Sequence, residues 1–215
     1  MSATRFPRGL YGVTPDWHDT DKLLAAVDLA ARHGMRAVQL RRKHVDAAAR
    51  RVQAVALQAL CREHGITLVI NDDWRLADEI GADCVHIGRD DARLAQVRAA
   101  IDPRILIGIS CYNDWSLVEP ALAEGADYIA FGAVYPSATK PQAARATLDL
   151  FTQARTRLDA YPTPRPSVVA IGGITPSNCE PVVRAGADSL ALITGLFDAP
   201  DIAAAARDCA RHYPT

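Results

Sequence analysis

Polar and basic residues are grouped at Gln39-Leu40-Arg41-Arg42-Lys43, directly after a short apolar run. Alternate side chains of an extended strand point to the same side, so Gln39, Arg41 and Lys43 are expected to converge. Arginine offers a bidentate fork to phosphate oxygens, whereas lysine offers a point charge. The group therefore indicates a phosphate or pyrophosphate site, with a solvated cationic loop as the alternative. Arg42 is expected to add positive charge to this region.

Two groups of carboxylates follow later apolar runs and are candidates for a metal site. The first is Asn71-Asp72-Asp73 and the second is Asp90-Asp91. Proteins usually hold Mg²⁺ with one or two carboxylates together with substrate phosphate oxygens, so Asp72 and Asp91 are candidate Mg²⁺ ligands. Capping of a helix N-terminus is the alternative for each acidic pair. His86, inside an apolar run, is expected to be a hydrogen-bonded buried residue and not a ligand.

Hydroxyl groups and a lysine mark a further set of candidate contacts. Ser137, Thr139 and Lys140 lie within four residues of one another and could clamp an anion from a lid loop. Ser110 could contact a substrate or cap the next helix. Cys111 is expected to be structural, because no histidine is placed beside it to activate a thiol nucleophile.

Glycines indicate a second anion site near the end of the chain. The pair Gly172-Gly173 and the run Ile193-Thr194-Gly195 each follow an apolar segment. Glycine allows backbone N–H groups to approach a phosphate beside a helix N-terminus. Two separate anion sites predict either a reaction between two substrates or a single bisphosphorylated ligand.

A repeated junction indicates how these side chains are positioned. Residues 76–88 read LADEIGADCVHIG, residues 120–132 read PALAEGADYIAFG, and residues 181–193 read PVVRAGADSLALI. In each, a glycine (Gly81, Gly125 or Gly186) is expected to end a helix in the left-handed conformation. The apolar run after each Gly-Ala-Asp is typical of a strand buried on both faces.

Eight strand candidates alternate with alanine-rich helical segments such as 21–33, 46–64 and 202–211. This pattern predicts an α/β protein, a single (β/α)8 barrel spanning residues 1–215, in which the carboxyl ends of the strands carry the active site. A doubly wound open sheet is the competing fold, but no GxGxxG motif follows the first strand. The candidate strands are 10–14, 37–40, 67–71, 84–88, 105–110, 128–132, 168–172 and 190–194.

Composition narrows the class of protein. The 215 residues carry a formal net charge of −1, so no broad nucleic-acid-binding face is expected. No apolar run approaches membrane-spanning length, and the N-terminus does not resemble a signal peptide. Five scattered cysteines without CxxC spacing favour the reducing cytoplasm. Small phosphorylated molecules are the expected partners, and both a monomer and a homo-oligomer remain open.

The ordered set of motifs resembles the thiamine-phosphate synthase family over about residues 10–195. The resemblance implies Mg²⁺-assisted condensation of 4-amino-2-methyl-5-hydroxymethylpyrimidine diphosphate with 4-methyl-5-(2-hydroxyethyl)thiazole phosphate, or its carboxylated form. Pyrophosphate would leave first, and the thiazole nitrogen would capture a pyrimidine-stabilised carbocation. The matching motifs are QLRRK at 39–43, INDD at 70–73, HIGRDD at 86–91, GIS at 108–110, YPSATK at 135–140 and AIGGI at 170–174.

The resemblance also implies roles for individual residues. Asp72 and Asp91 would bind Mg²⁺, Ser110 would contact the pyrimidine, and Lys140, Ser110 and Arg41 would be the catalytic residues. The pyrimidine diphosphate would be held by Gln39, Arg41, Lys43, Asn71 and Lys140. The thiazole phosphate would be held by Ser137, Thr139, Gly172, Ile193 and Thr194, with Gly173 beside them.

Three other functions compete with this interpretation. A thiazole tautomerase would use the same barrel without groups for pyrophosphate. A non-catalytic thiazole-phosphate-binding paralogue should lack a metal carboxylate or Lys140, and neither is missing here. A general phosphate-binding isomerase or aldolase should carry a lysine or carboxylate placed for Schiff-base formation or proton transfer.

Overall fold

The computed structural model describes residues 3–43, 45–88, 93–136 and 145–213. Within these ranges, eight parallel strands pair in chain order, and the last pairs with the first to close a barrel. The predicted (β/α)8 architecture is therefore confirmed. The strands are β1 (Gly9–Val13), β2 (Met35–Leu40), β3 (Thr67–Asn71), β4 (Cys84–Ile87), β5 (Leu106–Tyr112), β6 (Tyr128–Phe131), β7 (Ser167–Ile171) and β8 (Ser189–Leu192).

Helices connect the strands and cover the outside of the barrel. The described helices are α1 (Thr20–Arg32), α2 (Ala47–His64), α3 (Trp74–Ile80), α4 (Leu94–Ala100), α5 (Val118–Ala123), α6 (Leu148–Leu158), α7 (Glu180–Arg184), α8 (Thr194–Phe197) and α9 (Ile202–Ala210). A short 3₁₀ turn, Trp115–Leu117, precedes α5. The three helical segments predicted from alanine content all form, with ends that differ by one residue or less at each boundary.

Two apolar layers fill the molecule. The larger lies between strands and helices. The smaller fills the barrel interior with Tyr11, Val69, Tyr128 and residues at equivalent alternating positions of the other strands. Among the described residues, no helix combines the length and apolarity needed to cross a membrane.

The repeated Gly-Ala-Asp junctions have a structural role at the amino-terminal end of the barrel. The three glycines adopt positive φ values, as predicted. The aspartate after each glycine lies directly before an even-numbered strand. Its carboxylate accepts a hydrogen bond from the preceding strand, and its carbonyl accepts one from the following strand. The carboxylate bonds are Leu68 N to Asp83 (2.8 Å), Ile107 N to Asp127 (2.8 Å) and Val168 N to Asp188 (2.9 Å). The carbonyl bonds come from Leu106, Ser167 and Gly9.

Asp188 is the most deeply buried of the three junction aspartates. Its side chain is fully buried and pairs with the buried Arg165 at 2.8 Å, with Arg155 at 3.1 Å and with Arg8 at 3.6 Å. Because a carboxylate loses its hydration on burial, these charged donors are needed to keep it stable. Asp188 therefore joins the loop before β7, helix α6 and the N-terminal segment.

The N-terminal segment crosses the amino-terminal end of the barrel and closes it. Phe6 is fully buried, and its ring centroid lies 5.0 Å from that of Tyr11 and 4.5 Å from that of Tyr128. The backbone of Phe6 is held at both ends by Ser167, whose hydroxyl accepts from Phe6 N and donates to Phe6 O. Phe6 is thus the floor of the barrel interior.

We predict that Asp188→Ala lowers the free energy of unfolding by about 3–5 kcal/mol, because it leaves buried guanidinium groups without their counter-charge. Asp208→Ala is the matched control, since Asp208 is half exposed and pairs with the exposed Arg211. That control should cost less than about 0.5 kcal/mol. Urea denaturation followed by circular dichroism measures both. Equal losses in the two variants would contradict the structural role given to Asp188.

Candidate active site

Polar side chains occupy the last inward-facing positions of several strands. Gln39, Asn71 and His86 each lie two residues after an apolar residue of the interior layer, and Ser110 lies four residues after Leu106. Side chains two residues apart in a strand point the same way. The interior is therefore apolar at depth and polar at the carboxyl end, where barrel enzymes carry their active sites.

A cleft of about 350 Å³ opens at the carboxyl ends of β2 and β3. Within the cleft, Lys43 Nζ lies 3.5 Å from Asp72 Oδ2, and the Lys43 side chain is about half exposed. The cleft thus combines cationic groups with a carboxylate at one opening. It is lined by Arg42, Lys43, Arg50, Asn71, Asp72 and Asp73.

The neighbouring carboxylates Asp72 and Asp73 have different environments. Asp73 caps α3 by accepting from Leu76 N at 3.1 Å, and it also pairs with Arg50 at 3.0 Å. The helix-cap alternative is therefore correct for Asp73. Asp72 adopts a φ of 63°, which is uncommon for a residue other than glycine, and its N–H donates to His86 O at 2.8 Å. Only Asp72 is left facing Lys43 in the cleft.

Arg42 lines the cleft but adds less positive charge to the mouth than expected. Its side chain is only 2% exposed and donates to Asp16 Oδ1 at 2.8 Å, so its charge is neutralised inside the protein. Arg41 is partly exposed, and its N–H donates to Thr14 Oγ1 at 3.0 Å. Strand alternation stops at Leu40, so the basic residues beyond it are arranged by these individual contacts.

The loops after β6, β7 and β8 pack directly against one another. Val134 N donates to Ile171 O at 3.1 Å, and Tyr135 N donates to Gly172 O at 2.9 Å. Gly173 has a φ of 66°, and a Cβ there would meet the carbonyl oxygens of Tyr135 and Pro136. A Cβ on Gly195 would likewise meet Ile174 O. The predicted glycines thus allow close contact between loops, a role that the sequence alone did not reveal.

Gln39 and Ser110, which were both predicted as site residues, are connected through Tyr11, Tyr128 and His86, which were not. Gln39 Nε2 donates to Tyr11 OH at 2.6 Å, and Tyr11 OH lies 3.2 Å from Tyr128 OH. Tyr128 OH lies 2.8 Å from His86 Nδ1, and His86 Nε2 lies 2.9 Å from Ser110 Oγ. His86 is therefore hydrogen-bonded, as expected, although it is only partly buried. Ser110 lies within β5 and does not cap the next helix, where Asp114 caps the 3₁₀ turn.

The cysteine thiols near the mouth are unsuited to nucleophilic catalysis. All five cysteines are buried and free. Burial, with a smaller contribution from Asp114, raises the pKa of the Cys111 thiol to about 12. The thiolate is the reactive form of cysteine, so Cys111 stays unreactive at physiological pH. This agrees with the structural role expected for Cys111.

Several predicted site residues lie outside the described residues: Asp91, Ser137, Thr139 and Lys140. The described residues on either side of 137–144 are held at the mouth by hydrogen bonds. Ala146 N donates to Ala133 O at 2.9 Å, and Arg145 donates to Val134 O at 3.1 Å. Ile193 and Thr194 lie at the start of α8.

Comparison with known proteins identifies the family. Residues 10–196 match the family described as thiamine monophosphate synthase. The chain belongs to this family. It is 62% identical over 214 residues to the thiamine-phosphate synthase of Bordetella avium, covering 100% of this chain and 99% of that one. It is 50% identical over 208 residues to that of Thiobacillus denitrificans, covering 97% and 96%. Members of the thiamine monophosphate synthase family are enzymes of the transferase class.

Solved structures agree with this family and fold. Thiamine phosphate pyrophosphorylase from Pyrococcus furiosus superposes with a TM-score of 0.82 at 26% identity, covering 97% of this chain and 96% of that chain. A geranylgeranylglyceryl phosphate synthase from Thermoplasma acidophilum gives a TM-score of 0.70 at 15% identity, covering 96% and 93%. The second likeness shows the barrel fold alone.

We predict that Gly173→Ala reduces turnover at least about tenfold, because a Cβ there would displace loops that are expected to position a substrate, and small displacements of such groups have large kinetic costs. Gly65→Ala is the matched control. Gly65 has a similar φ of 61°, but a Cβ there would meet nothing within 4 Å. The control should lose about 1–2 kcal/mol of stability from its left-handed backbone and keep its turnover. Steady-state kinetics and urea denaturation compare the two, and equal turnover would contradict a loop-positioning role for Gly173.

Proposed function

We propose that this chain catalyses the synthesis of thiamine phosphate. It condenses 4-amino-2-methyl-5-hydroxymethylpyrimidine diphosphate with 4-methyl-5-(2-hydroxyethyl)thiazole phosphate, or its carboxylated form, and releases pyrophosphate. Family membership over residues 10–196 supports the reaction. The observation that carries it to this chain is the cleft in which Lys43 and Asp72 face each other. Such a pairing of ammonium and carboxylate suits a metal-bound diphosphate.

In this proposal the diphosphate of the pyrimidine substrate occupies the cleft at β2 and β3. Gln39, Arg41, Lys43, Asn71 and Lys140 hold this substrate, and Ser110 contacts its ring. The side chain of Lys43 is about half exposed, so the ammonium can reach phosphate oxygens without desolvation of the whole residue. Arg42 and Arg50, which also line the cleft, are held in place by ion pairs with Asp16 and Asp73.

The donor set fits Mg²⁺ held jointly by protein and substrate. Asp72 supplies one carboxylate, and Asp91 would supply the second. Among the described residues, no group of three or more His, Cys, Asp or Glu side chains could enclose a metal ion. Mg²⁺ commonly takes only one or two carboxylates and completes its coordination with substrate phosphates and water. When bound, Mg²⁺ would neutralise charge on the pyrophosphate that leaves.

The reaction needs charge stabilisation and alignment from the protein, without a side-chain nucleophile. The bond between the pyrimidine methylene carbon and the diphosphate oxygen breaks, and its electron pair leaves with pyrophosphate. The nitrogen lone pair of the thiazole then forms the new C–N bond. Arg41 and Lys140 act on the developing negative charge of the leaving group, where preorganised donors contribute most. The buried thiol of Cys111 takes no part.

In this proposal the thiazole phosphate binds at the loops after β6, β7 and β8. Ser137, Thr139, Gly172, Ile193 and Thr194 contact it, and Gly173 keeps the loops together. The packing of Gly172 and Gly173 against the described start of the loop after β6 supports this arrangement, because it brings the loops after β6 and β7 together at one side of the mouth. The nucleophile would then approach the pyrimidine from the side opposite β2 and β3.

The proposed reaction belongs to the cytoplasm, with small phosphorylated molecules as the only partners it requires. The five free, buried thiols support a reducing compartment. The formal net charge of −1 gives no support to a nucleic-acid partner.

The decisive experiment is incubation of the protein with both substrates and Mg²⁺, with thiamine phosphate and pyrophosphate measured by chromatography. Both products should appear in equal amounts, and chelation of Mg²⁺ should stop their formation. Isomerisation of a thiazole carboxylate phosphate without any condensation would instead support the tautomerase. Binding without either reaction would support the non-catalytic paralogue.

We predict that Asp72→Asn needs at least about tenfold more Mg²⁺ for half-maximal rate, since loss of a carboxylate weakens the metal site. Asparagine tolerates the left-handed backbone at this position, so the variant should fold normally. Asp73→Asn is the control, because asparagine retains a helix cap and Asp73 faces Arg50. A titration of turnover against Mg²⁺ separates them. An unchanged Mg²⁺ requirement in Asp72→Asn would remove Asp72 from the metal site.

We predict that Lys140→Met lowers kcat on the order of 10²–10³-fold while thiazole phosphate still binds. Loss of one preorganised donor to charge that develops in the transition state typically costs about 3–4 kcal/mol. Lys22→Met is the control, because Lys22 lies on α1 over the ring of Trp17 and does not line the cleft. Single-turnover rates with both substrates saturating give the comparison. A Lys140→Met rate within about threefold of wild type would exclude a catalytic lysine here.

A further inference from the structure

An unbroken line of hydrogen-bonded side chains crosses the barrel interior beneath the mouth. It runs from β2 through β1, β6 and β4 to β5, in the order Gln39, Tyr11, Tyr128, His86, Ser110. Both phenols are almost completely buried, and the ring of Tyr128 stacks on that of His86 with centroids 5.6 Å apart. We call these five side chains the interior relay.

The interior relay has a direction, because each hydroxyl has one hydrogen to donate. The Gln39 amide nitrogen can only donate, so Tyr11 OH accepts a hydrogen bond from it and donates one to Tyr128 OH. Tyr128 OH then donates to His86 Nδ1, which makes Nδ1 an acceptor and puts the ring hydrogen on Nε2. This tautomer is assigned from the network. His86 Nε2–H therefore donates to Ser110 Oγ, and Ser110 is left to donate its hydroxyl hydrogen elsewhere.

The two phenols keep these donor and acceptor roles at physiological pH. Burial raises the pKa of Tyr11 and of Tyr128 far above that of an exposed phenol, so neither loses its hydrogen. Phe6 packs against both rings from below. The space around Tyr128 is also closed at Gly108, where a Cβ would collide with the phenol ring. Packing thus fixes the positions of these groups, and hydrogen bonding fixes which of them donate and which accept.

We propose that His86 and Tyr128 are positioning residues that make Ser110 a hydrogen-bond donor toward the pyrimidine substrate. This inference rests on the proposed function. The ring nitrogens of an aminopyrimidine are acceptors, so they need a donor at the protein. Without the relay, a histidine of the opposite tautomer would accept from Ser110 and turn its hydrogen away from the substrate. The relay therefore selects for a ring with an acceptor at this position.

The mechanism predicts which kinetic constant the relay controls. Positive charge develops on the pyrimidine as pyrophosphate leaves, so its ring nitrogens become poorer acceptors. A bond donated by Ser110 does not strengthen in the transition state and contributes to binding of the ground state. Loss of such a bond raises KM and leaves kcat nearly unchanged. This effect is the opposite of that expected for Lys140.

The first test is Tyr128→Phe, which removes the hydroxyl and keeps the ring. KM for the pyrimidine diphosphate should rise about three- to tenfold, the usual range for one neutral hydrogen bond. KM for thiazole phosphate and kcat should change less than about twofold. Tyr213→Phe is the control, because Tyr213 is partly buried and its OH donates to Ala187 O at the opposite end of the barrel. The control should leave all three constants unchanged.

A double-mutant cycle separates positioning from general loss of structure. If Tyr128 acts through Ser110, Tyr128→Phe in a Ser110→Ala background should leave the KM of that single variant unchanged within about twofold. His86→Gln, which retains a donor near Ser110, should bind the pyrimidine diphosphate more tightly than His86→Leu. Nitrogen-15 spectra of the imidazole should show hydrogen on Nε2 in wild type and a change of tautomer in Tyr128→Phe.

The outcomes distinguish this inference from the proposed function. Wild-type protein that forms no thiamine phosphate would overturn both. Active wild type with an unchanged pyrimidine KM in Tyr128→Phe would overturn the relay alone, as would multiplicative effects of Tyr128→Phe and Ser110→Ala. A protonated Nδ1 in the wild-type spectra would overturn it as well. If His86→Leu fails to fold, Tyr128→Phe and the spectra still decide.

Discussion

Three aspartates, two of them buried, hold the strands of this barrel together at its amino-terminal end. Asp83, Asp127 and Asp188 each precede an even-numbered strand and bind the strands on both sides through carboxylate and carbonyl oxygens. Seven of the eight strands take part, and β2 is the exception. Where such a carboxylate is buried it needs guanidinium partners, which explains Arg98 beside Asp127 and Arg165 beside Asp188. Strand register is thus set by short polar contacts as well as by the apolar layers.

This arrangement separates stability from chemistry along the barrel axis. At the amino-terminal end, charges are buried and matched, as with Arg165 and Asp188. At the carboxyl end, Lys43 and Asp72 remain solvent-accessible and 3.5 Å apart. Lys43 can therefore leave Asp72 to bind a substrate, and Asp72 can leave Lys43 to bind a cation. The apolar interior lies between the two ends. In a barrel with this division, substitutions at the carboxyl end have little effect on stability.

The sequence predicted the barrel because its signals were repeated. Each Gly-Ala-Asp junction gave a helix end followed by a strand, and all eight strand candidates form. It also located Gln39, Asn71 and Ser110 at strand ends. It could not reveal that Arg42 turns inward to Asp16, because that contact depends on a loop distant in sequence. Nor could it separate Asp72 from Asp73, whose backbone conformations differ, or find Tyr11 and Tyr128, whose apolar surroundings resemble any core. The spacing of residues indicates which side chains share a face of a strand, whereas contacts in the folded protein determine the partners of each polar atom.

The floor formed by Phe6 has a consequence for substitutions at this residue. The residues around it are fixed to the barrel by Arg5 N to Arg165 O and by Ser167 on both sides of Phe6. The phenyl ring supports the two phenols that in turn contact Gln39 and His86. A substitution that displaced Phe6 would therefore disturb polar groups near the mouth, although Phe6 itself lies at the opposite end of the barrel.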